Sequence, residues 1–244
     1  MSEVILVTAS SRGLGLEIAK DLSNSGYSIL LNGRNKESLF AAMEKLSCEK
    51  EHFLFTYDLT KEDAVNRLKF FLEEKNITII GVVHNLGGKV ENDIQPLFPK
   101  TLAKSIRLNL ESAIDINNFL IPKMMNNGYG TIIHIGSSSG YNGNAAPAYA
   151  ISKGALNTYV KNTARFYAKD GIRICAVLPG ILDHEGSEWD KKRLLEPEKY
   201  QQRKLQMPLQ RFAKPNEIAP FISSIFKTNS MQVAGSIISL EGAV

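Results

Sequence analysis

The chain has 244 residues, of which 43% are hydrophobic and 22% are charged. This composition is typical of a globular protein and excludes a chain that is disordered over most of its length. The 29 basic residues are interspersed with 25 acidic ones, which leaves a formal net charge of +4. Because no basic stripe stands out from this mixture, we expect no nucleic-acid partner.

The cysteines and the apolar runs further restrict the class of protein. Cys48 and Cys175 are the two cysteines, and neither lies in a Cys-x-x-Cys or Cys/His cluster, so we expect no disulfide framework and no metal site. No apolar run reaches the length of a membrane span, and the acidic Glu3 precedes a strand-like run that does not resemble a signal peptide. We therefore predict a cytoplasmic protein without a membrane partner.

Short β-branched apolar runs alternate with longer stretches of helical periodicity. The sequence predicts strands at 4–8, 28–32, 53–57, 77–85, 131–136, 173–178 and 236–240. It predicts helices at 13–25, 36–47, 61–75, 99–126, 148–169 and 215–227. Several strands are apolar at consecutive positions, which is typical of strands covered by helices on both faces. We therefore predict an α/β protein, a single-domain Rossmann fold over residues 1–244 with a doubly wound, seven-stranded parallel sheet.

Segment 181–208 interrupts this alternation, because it is long, charged and weakly periodic. A segment of this kind after the C-terminal end of a strand is usually a functional lid, and here we predict a substrate lid. The alternative is a solvated surface excursion that holds a helix. In the lid, Trp189, Leu194, Leu195 and Tyr200 are predicted to form an apolar inner face.

The first strand runs into a glycine-containing turn, and a helix follows. Glycines at this place let the backbone approach a pyrophosphate, and the helix N-terminus offers unpaired N–H groups. The turn matches at Thr8, Gly13 and Gly15, with Ala9 at the first glycine position, and so resembles the Thr-Gly-x-x-x-Gly-x-Gly motif of the short-chain dehydrogenase/reductase family. The cofactor contacts predicted in this loop are Ser10, Ser11, Arg12, Gly13, Leu14 and Gly15.

The end of the second strand indicates which cofactor is used. NAD-binding proteins place a carboxylate there for the adenosine ribose, but this chain has Gly33 followed by Arg34. Arg12 in the glycine-containing turn offers a second cation, and guanidinium groups suit phosphate. Either arginine alone is more often a surface residue, but together they predict NADP(H).

The third strand is followed by Asp58 and Leu59, where the resemblance implies contacts to adenine. The alternative for Asp58 is a cap on the helix that starts near Lys61, and both roles are compatible.

After the fourth strand, Asn85 and Gly87 match the family's Asn-Asn-Ala-Gly segment, which implies that they contact the cofactor. His84 departs from that segment, and we interpret it as a packed or hydrogen-bonded residue.

The sixth strand ends in a segment that resembles the family's Pro-Gly cover for nicotinamide, which implies contacts from Pro179, Gly180 and Leu182. His184 stands where the family often has a threonine that holds the carboxamide. It would replace that threonine, contact substrate or face solvent.

Tyr149 and Lys153 are four residues apart near the start of a predicted helix, so their side chains share one helix face. A free phenol has a pKa of about 10, and a neighbouring ammonium is expected to lower it towards neutrality. The pair would then exchange a proton with a substrate. The resemblance implies that both residues also contact the cofactor. Taken alone, this spacing more often marks an exposed helix face.

The resemblance implies a catalytic tetrad of Asn109, Ser137, Tyr149 and Lys153. Ser137 directly follows the glycine that ends the fifth strand, and Ser138 is the alternative. Asn109 would shape its helix and hold a water in the proton relay, or it would bond to the backbone as a buried amide does.

The pattern and length resemble 3-oxoacyl-[acyl-carrier-protein] reductases. The function this implies is NADP(H)-dependent hydride transfer between nicotinamide and a carbonyl or secondary alcohol. The expected partner is a small-molecule or carrier-bound carbonyl substrate, for which a 3-oxoacyl thioester is the candidate. A reductase of another ketone, sugar or secondary metabolite stays open, as does a non-catalytic NADP(H)-binding sensor or subunit. The resemblance also implies a homotetramer or homodimer.

Overall fold

The computed structural model describes residues 2–228 and 230–243. In this part of the chain a seven-stranded parallel sheet has the order β3-β2-β1-β4-β5-β6-β7. The strands are β1 (Ser2–Val7), β2 (Ser28–Gly33), β3 (Phe53–Thr56), β4 (Ile77–His84), β5 (Gly130–Ile135), β6 (Ile172–Pro179) and β7 (Ile237–Leu240). The predicted Rossmann architecture is thereby confirmed.

Helices connect the strands. They are α1 (Gly13–Asn24), α2 (Lys36–Met43), α3 (Ala64–Glu74), α4 (Pro99–Ile106), α5 (Ser112–Asn127), α6 (Ser139–Asn142), α7 (Pro147–Tyr167), α8 (Glu188–Leu195), α9 (Pro197–Leu205) and α10 (Pro215–Lys227). The stretch predicted as one helix at 99–126 is divided by a π-helical turn, Arg107–Glu111. Within the described residues, no helix has the length and apolar character needed to cross a membrane.

The sheet separates two hydrophobic cores, which explains the consecutive apolar residues of its strands. In β1, Val4 and Leu6 face a core formed with α3, α5 and α7. Ile5 and Val7 face the opposite core, formed with α1, α2 and α10. Successive strand residues point to opposite faces, so a strand covered on both sides needs apolar residues at every position.

The order of the strands places the connections after β1 and β4 on opposite sides of a crevice, because the chain reverses direction across the sheet at this point. In doubly wound sheets ligands bind at such a switch point, beyond the carboxyl ends of the strands. The glycine-containing turn after β1 and the Asn85 segment after β4 therefore lie where a dinucleotide is expected.

Segment 181–208 contains α8 and α9. The rings of Trp189 and Tyr200 pack on Phe212, with centroid separations of 5.0 and 5.2 Å, so half of the predicted inner face forms a small core. The prediction is wrong for Leu194 and Leu195, which are 67% and 80% exposed. Both lie in the last turn of the two-turn helix α8, on the side turned to solvent.

Candidate active site

A cavity of about 1110 Å³, here named the main cavity, runs along the carboxyl ends of the strands. Fifteen of the predicted site residues line it: Ser11, Arg12, Gly13, Leu14, Arg34, Asp58, Leu59, Asn85, Gly87, Ser137, Tyr149, Lys153, Pro179, Gly180 and Leu182. Ser10, Gly15 and Asn109 are buried behind its wall. The residues predicted from separate motifs thus meet at one edge of the sheet.

Ser10 and Gly15 lie behind the glycine-containing turn. The Ser10 hydroxyl accepts a hydrogen bond from the Asn32 amide nitrogen at 3.0 Å, and the Ser10 amide donates to the Asn32 carbonyl at 2.8 Å. A Cβ added to Gly15 would come within 2.6 Å of the Ala9 carbonyl oxygen and of Asn85 Nδ2. Both residues therefore hold the turn in place rather than line the cavity.

Ala9 adopts the left-handed backbone conformation, with φ at +50°. For a residue with a Cβ this conformation costs on the order of 1–2 kcal/mol. The requirement explains why the resembling motif has glycine at this position. Ala9 therefore keeps the turn at an energetic cost.

The turns after β1 and β4 are joined by direct hydrogen bonds. Asn85 Nδ2 donates to the carbonyl oxygens of Thr8 at 3.2 Å and Ala9 at 3.0 Å. Thr8 Oγ1 accepts from the backbone N–H groups of Asn85 and Leu86, both at 2.9 Å. These bonds fix the width of the crevice on the side where the pyrophosphate is expected.

Arg34 is exposed on the wall of the main cavity, close to Asp58. Burial raises the pKa of Asp58, but hydrogen bonds from Thr60 and the charges of Arg34 and Lys61 outweigh it and hold the pKa below its ordinary value. Asp58 Oδ1 accepts from Thr60 N at 3.0 Å and from Thr60 Oγ1 at 2.7 Å. It thus caps a turn before α3, and the predicted helix start near Lys61 is wrong because α3 begins at Ala64.

Segment 181–208 touches the glycine-containing turn. A Cβ added to Gly13 would lie 2.6 Å from the His184 ring, and one added to Gly186 would lie 2.6 Å from an Arg12 guanidinium nitrogen. His184 is half-buried and lines the main cavity. Among the three predicted alternatives for His184, this position favours a contact to cofactor.

Tyr149 and Lys153 lie side by side on α7, where the Lys153 ammonium is 5.8 Å from the centre of the Tyr149 ring. Lys153 is 4% exposed, and its burial lowers its pKa to about 8. Burial raises the pKa of Tyr149, a hydrogen bond with Ser137 lowers it and the charge of Glu188 raises it, with a net upward shift. The predicted lowering of the Tyr149 pKa is wrong for this structure, because desolvation of the phenol dominates.

Small residues and one hydrogen bond between different elements bring Ser137 to Tyr149. A Cβ added to Gly140 would lie 2.7 Å from the backbone nitrogen of Gly154, so α6 approaches the backbone of α7 without side chains between them. Lys153 Nζ also donates to the Ile135 carbonyl at 2.8 Å, which ties α7 to the end of β5. Ser137 lines the main cavity, whereas Ser138 does not, which favours Ser137 as the partner of Tyr149.

The start of α7 is held by Asp93, which the sequence reasoning missed. Its buried carboxylate accepts from the backbone N–H groups of Ala148 at 2.7 Å and Tyr149 at 2.9 Å. An anion at a helix N-terminus satisfies unpaired N–H groups and interacts favourably with the helix dipole. Because Asp93 lies 55 residues away along the chain, no local capping pattern marks it.

Asn109 lies in the π-helical turn and is 3% exposed. Its Oδ1 accepts from Gly88 N at 2.9 Å, and its Nδ2 donates to the carbonyl oxygens of Gly88 at 2.9 Å and Ser105 at 3.0 Å. A Cβ on Gly87 would lie 2.8 Å from Asn109 Oδ1 and 3.1 Å from Lys153 Nζ. Asn109 therefore holds the loop after β4 against Lys153.

His84 is buried, and its Nε2 bonds to Asn117 Oδ1 at 2.8 Å. Its ring stacks on His134 with centroids 4.6 Å apart. Burial lowers the pKa of His84 to about 4, so the ring is neutral near pH 7. The interpretation of His84 as a packed, hydrogen-bonded residue is confirmed.

A family model for the short chain dehydrogenases matches residues 3–193. The chain belongs to this family. The matched residues include the turn after β1 and the cluster of Ser137, Tyr149 and Lys153. They also include the strands of the sheet except the last one, β7. Family membership makes it an oxidoreductase related to enzymes that use a nicotinamide cofactor and act on CH–OH or C=O groups.

Relatives of several named activities match along nearly the whole chain. The 3-oxoacyl-[acyl-carrier-protein] reductase MabA of Mycobacterium tuberculosis is 28% identical, over 100% of this chain and 93% of its own length. The glucose 1-dehydrogenase of Gluconobacter oxydans is 29% identical, over 98% and 91%. The structure of L-sorbose reductase from Gluconobacter frateurii with NADPH and L-sorbose superposes with a TM-score of 0.90 at 24% identity, over 99% and 96%, which supports the fold.

Proposed function

We propose that the chain is an NADP(H)-dependent oxidoreductase that transfers a hydride between nicotinamide and a carbonyl or secondary alcohol carbon. The observation that carries this proposal is the meeting of Ser137, Tyr149 and Lys153 on the cavity that also holds Arg34. Residues 1–244 then act as one domain, with segment 181–208 as its substrate lid. Cytoplasmic location and assembly as a homotetramer or homodimer remain predictions; light scattering after size exclusion tests the assembly.

The residues around the main cavity fit a dinucleotide that carries an extra phosphate. A volume of about 1110 Å³ suits a long ligand, and the N-terminus of α1 presents N–H groups to it. Arg34 and Arg12 are the cations for a 2′-phosphate, and Gly33 leaves out the carboxylate that would repel it. Pro179, Gly180 and Leu182 would cover the nicotinamide. NADPH, when bound, supplies the hydride.

The phenol of Tyr149 is the proton donor in the reducing direction. Because its pKa is raised, the phenol is protonated near neutral pH, which is the state that a general acid needs. The hydroxyl of Ser137 is placed to donate a hydrogen bond to the carbonyl oxygen. The nearby Lys153 ammonium stabilises the phenolate that remains once the proton has left, and it would hold the nicotinamide ribose.

Asn109 acts as a positioning residue in this scheme. The bonds of its side chain to Gly88 and Ser105 use both N–H donors of its amide and one acceptor position of its oxygen. The relay water predicted for this residue would therefore bind to its main chain in the π-helical turn, where the backbone departs from α-helical bonding.

Two substrate classes stand beside each other. Relatives named 3-oxoacyl-[acyl-carrier-protein] reductase support a 3-oxoacyl thioester. A relative named glucose 1-dehydrogenase supports the alternative of a sugar or another ketone. A panel with an acetoacetyl thioester, alkyl ketones and sugars distinguishes them, and NADPH binding without oxidation by any panel member would favour the non-catalytic sensor or subunit.

Tyr149→Phe tests the proposed chemistry. Loss of the general acid is expected to lower kcat by about 10² to 10⁴-fold, while the dissociation constant of NADPH, measured by fluorescence titration, stays within a factor of two or so of the wild-type value. Tyr167→Phe, on the same helix but outside the main cavity, is the matched control and should keep wild-type turnover. Unchanged turnover in Tyr149→Phe would refute the proposal.

A further inference from the structure

A second cavity of about 510 Å³, here named the outer cavity, adjoins the main cavity and shares six lining residues with it: Gly88, Lys89, Ser137, Tyr149, Pro179 and Gly180. With a dinucleotide in the main cavity, the outer cavity is the adjoining space from which a carbonyl can reach Ser137 and Tyr149. The side chains on its remaining walls accordingly decide which substrate body can bind.

Four charged side chains line the outer cavity, two of each sign: Lys89, Glu188, Arg203 and Glu241. Lys89 on the loop after β4 and Glu188 in the first turn of α8 are joined across the cavity at 2.9 Å. Arg203 Nη1 donates to the Gln206 side chain at 3.2 Å, and Glu241 accepts from the Ser239 hydroxyl.

These bonds use only part of the hydrogen-bonding capacity of the four charged groups. A guanidinium has five N–H donors, and a carboxylate has room for about four hydrogen bonds. Asn142 at the end of α6 and Asn144 just after the helix add amide donors and acceptors on another wall. The outer cavity therefore offers donors and acceptors together, on several sides of the space in front of Tyr149.

An alkyl chain in this space would contact the apolar Ile181 and Met207, but it would also displace water from the charged groups and return no hydrogen bonds, which is energetically costly. A polyhydroxylated compound has the opposite property, because each hydroxyl both donates and accepts and so fits walls that carry both signs of charge. Trp189 adds an aromatic surface of the kind that packs against the C–H groups of such a compound.

We infer that the substrate of this site is a polyhydroxylated ketone, of the ketose type, rather than an acyl chain. The inference rests on the proposed function for the carbonyl chemistry, but the walls of the outer cavity support it separately. Arg203 and Glu241 are assigned to substrate hydroxyls.

Ketones with equal carbon skeletons test this assignment. Erythrulose is compared with 2-butanone and fructose with 2-hexanone, alongside an acetoacetyl thioester, all with NADPH and the full chain. A site built to bond substrate hydroxyls rejects the analogue that lacks them, so kcat/KM is expected to favour each hydroxylated member by at least about 100-fold. A preference for the alkyl ketones or the thioester would overturn the inference.

Variants locate the discrimination. Arg203→Met and Glu241→Gln are each expected to lower the ratio of kcat/KM for erythrulose to that for 2-butanone by at least about tenfold. Arg193→Met removes a nearby exposed guanidinium that pairs with Asp190 and lies outside the outer cavity, so it should leave the ratio unchanged. An unchanged ratio in both test variants would contradict the assignment.

A binding measurement separates failure of the inference from failure of the proposed function. In the Tyr149→Phe protein with NADPH, saturation-transfer NMR should detect fructose and not 2-hexanone. If fructose binds but the wild-type protein oxidises NADPH with no member of the panel, the proposed function fails and the binding inference holds. If 2-hexanone binds and fructose does not, the inference fails whatever the turnover.

Discussion

The main cavity and the outer cavity meet at Tyr149, but they are built from different parts of the molecule. The main cavity is lined by turns at the ends of the strands, where backbone groups and buried side chains hold one another. The outer cavity is closed by α8 and α9, and Glu188 of α8, which does not line the main cavity, is 48% exposed at its side chain.

The difference separates the chemistry from the choice of substrate. Groups held by the sheet serve any carbonyl that reaches Tyr149, whereas groups on surface helices contact the rest of the substrate. A change on the main-cavity side is therefore expected to lower kcat/KM for all substrates by a similar factor, and a change on the outer side to alter their ranking.

The largest effect is expected from the buried Lys153. Its pKa falls from the ordinary value of 10.5 to about 8 in the folded protein, so above pH 8 the unfolded chain binds one proton more than the folded one. Stability relative to Lys153→Met should thus be lowest below pH 8 and rise by about 3 kcal/mol up to pH 10.5. Urea unfolding of both proteins at pH 7.5 and 10 measures this difference, and a flat difference would show that Lys153 is not desolvated.

Arg34→Ala tests the phosphate end of the main cavity. Loss of charge-assisted bonds worth about 1.5–3 kcal/mol should raise the KM for NADPH by about 10 to 100-fold and leave that for NADH nearly unchanged. The matched control is Lys36→Ala, which removes a nearby cation that lies over the Phe40 ring, outside the main cavity. Equal losses for both cofactors would contradict the 2′-phosphate role.

Asp93 lines neither the main cavity nor the outer cavity, but it holds the start of α7, the helix that carries Tyr149. Asp93→Ala removes the acceptors of two N–H groups, which should cost about 1–3 kcal/mol of unfolding free energy. We expect kcat to fall more than the KM for NADPH changes, because the start of α7 sets the position of Tyr149. Asp93→Asn keeps one acceptor oxygen and should recover part of kcat. If Asp93→Ala lowers stability but leaves kcat unchanged, Asp93 is only a structural cap and does not position Tyr149.

The smallest expected effect concerns the turn after β1. Ala9→Gly relieves the left-handed conformation and should stabilise the fold by about 0.5–1 kcal/mol. Ala168→Gly, at a residue with φ of −61°, is the matched control and should destabilise by a similar amount. Thermal unfolding of both variants measures the direction of each change in stability. Destabilisation by Ala9→Gly would mean that the packing of the Ala9 methyl group contributes more free energy than its left-handed backbone conformation costs.

The sequence predicted the fold and the cofactor side more completely than the substrate side. Strand and helix periodicity located every strand to within about two residues, and the residues placed on the main cavity came from motifs that are contiguous in sequence. The exposure of Leu194 and Leu195 was missed, since a short amphipathic pattern does not tell which side of a surface helix finds a partner.

The sequence by itself determined the layered α/β architecture, the turns at the switch point and the pairing of Tyr149 with Lys153 on one helix face. These features depend on neighbours within a few residues, so their pattern is written locally. Tertiary structure alone decided the Asp93 cap on α7, the close contact of Gly140 with Gly154 and the upward shift of the Tyr149 pKa. Each of these depends on groups distant along the chain and on burial, which is a sum over all the elements packed around one atom.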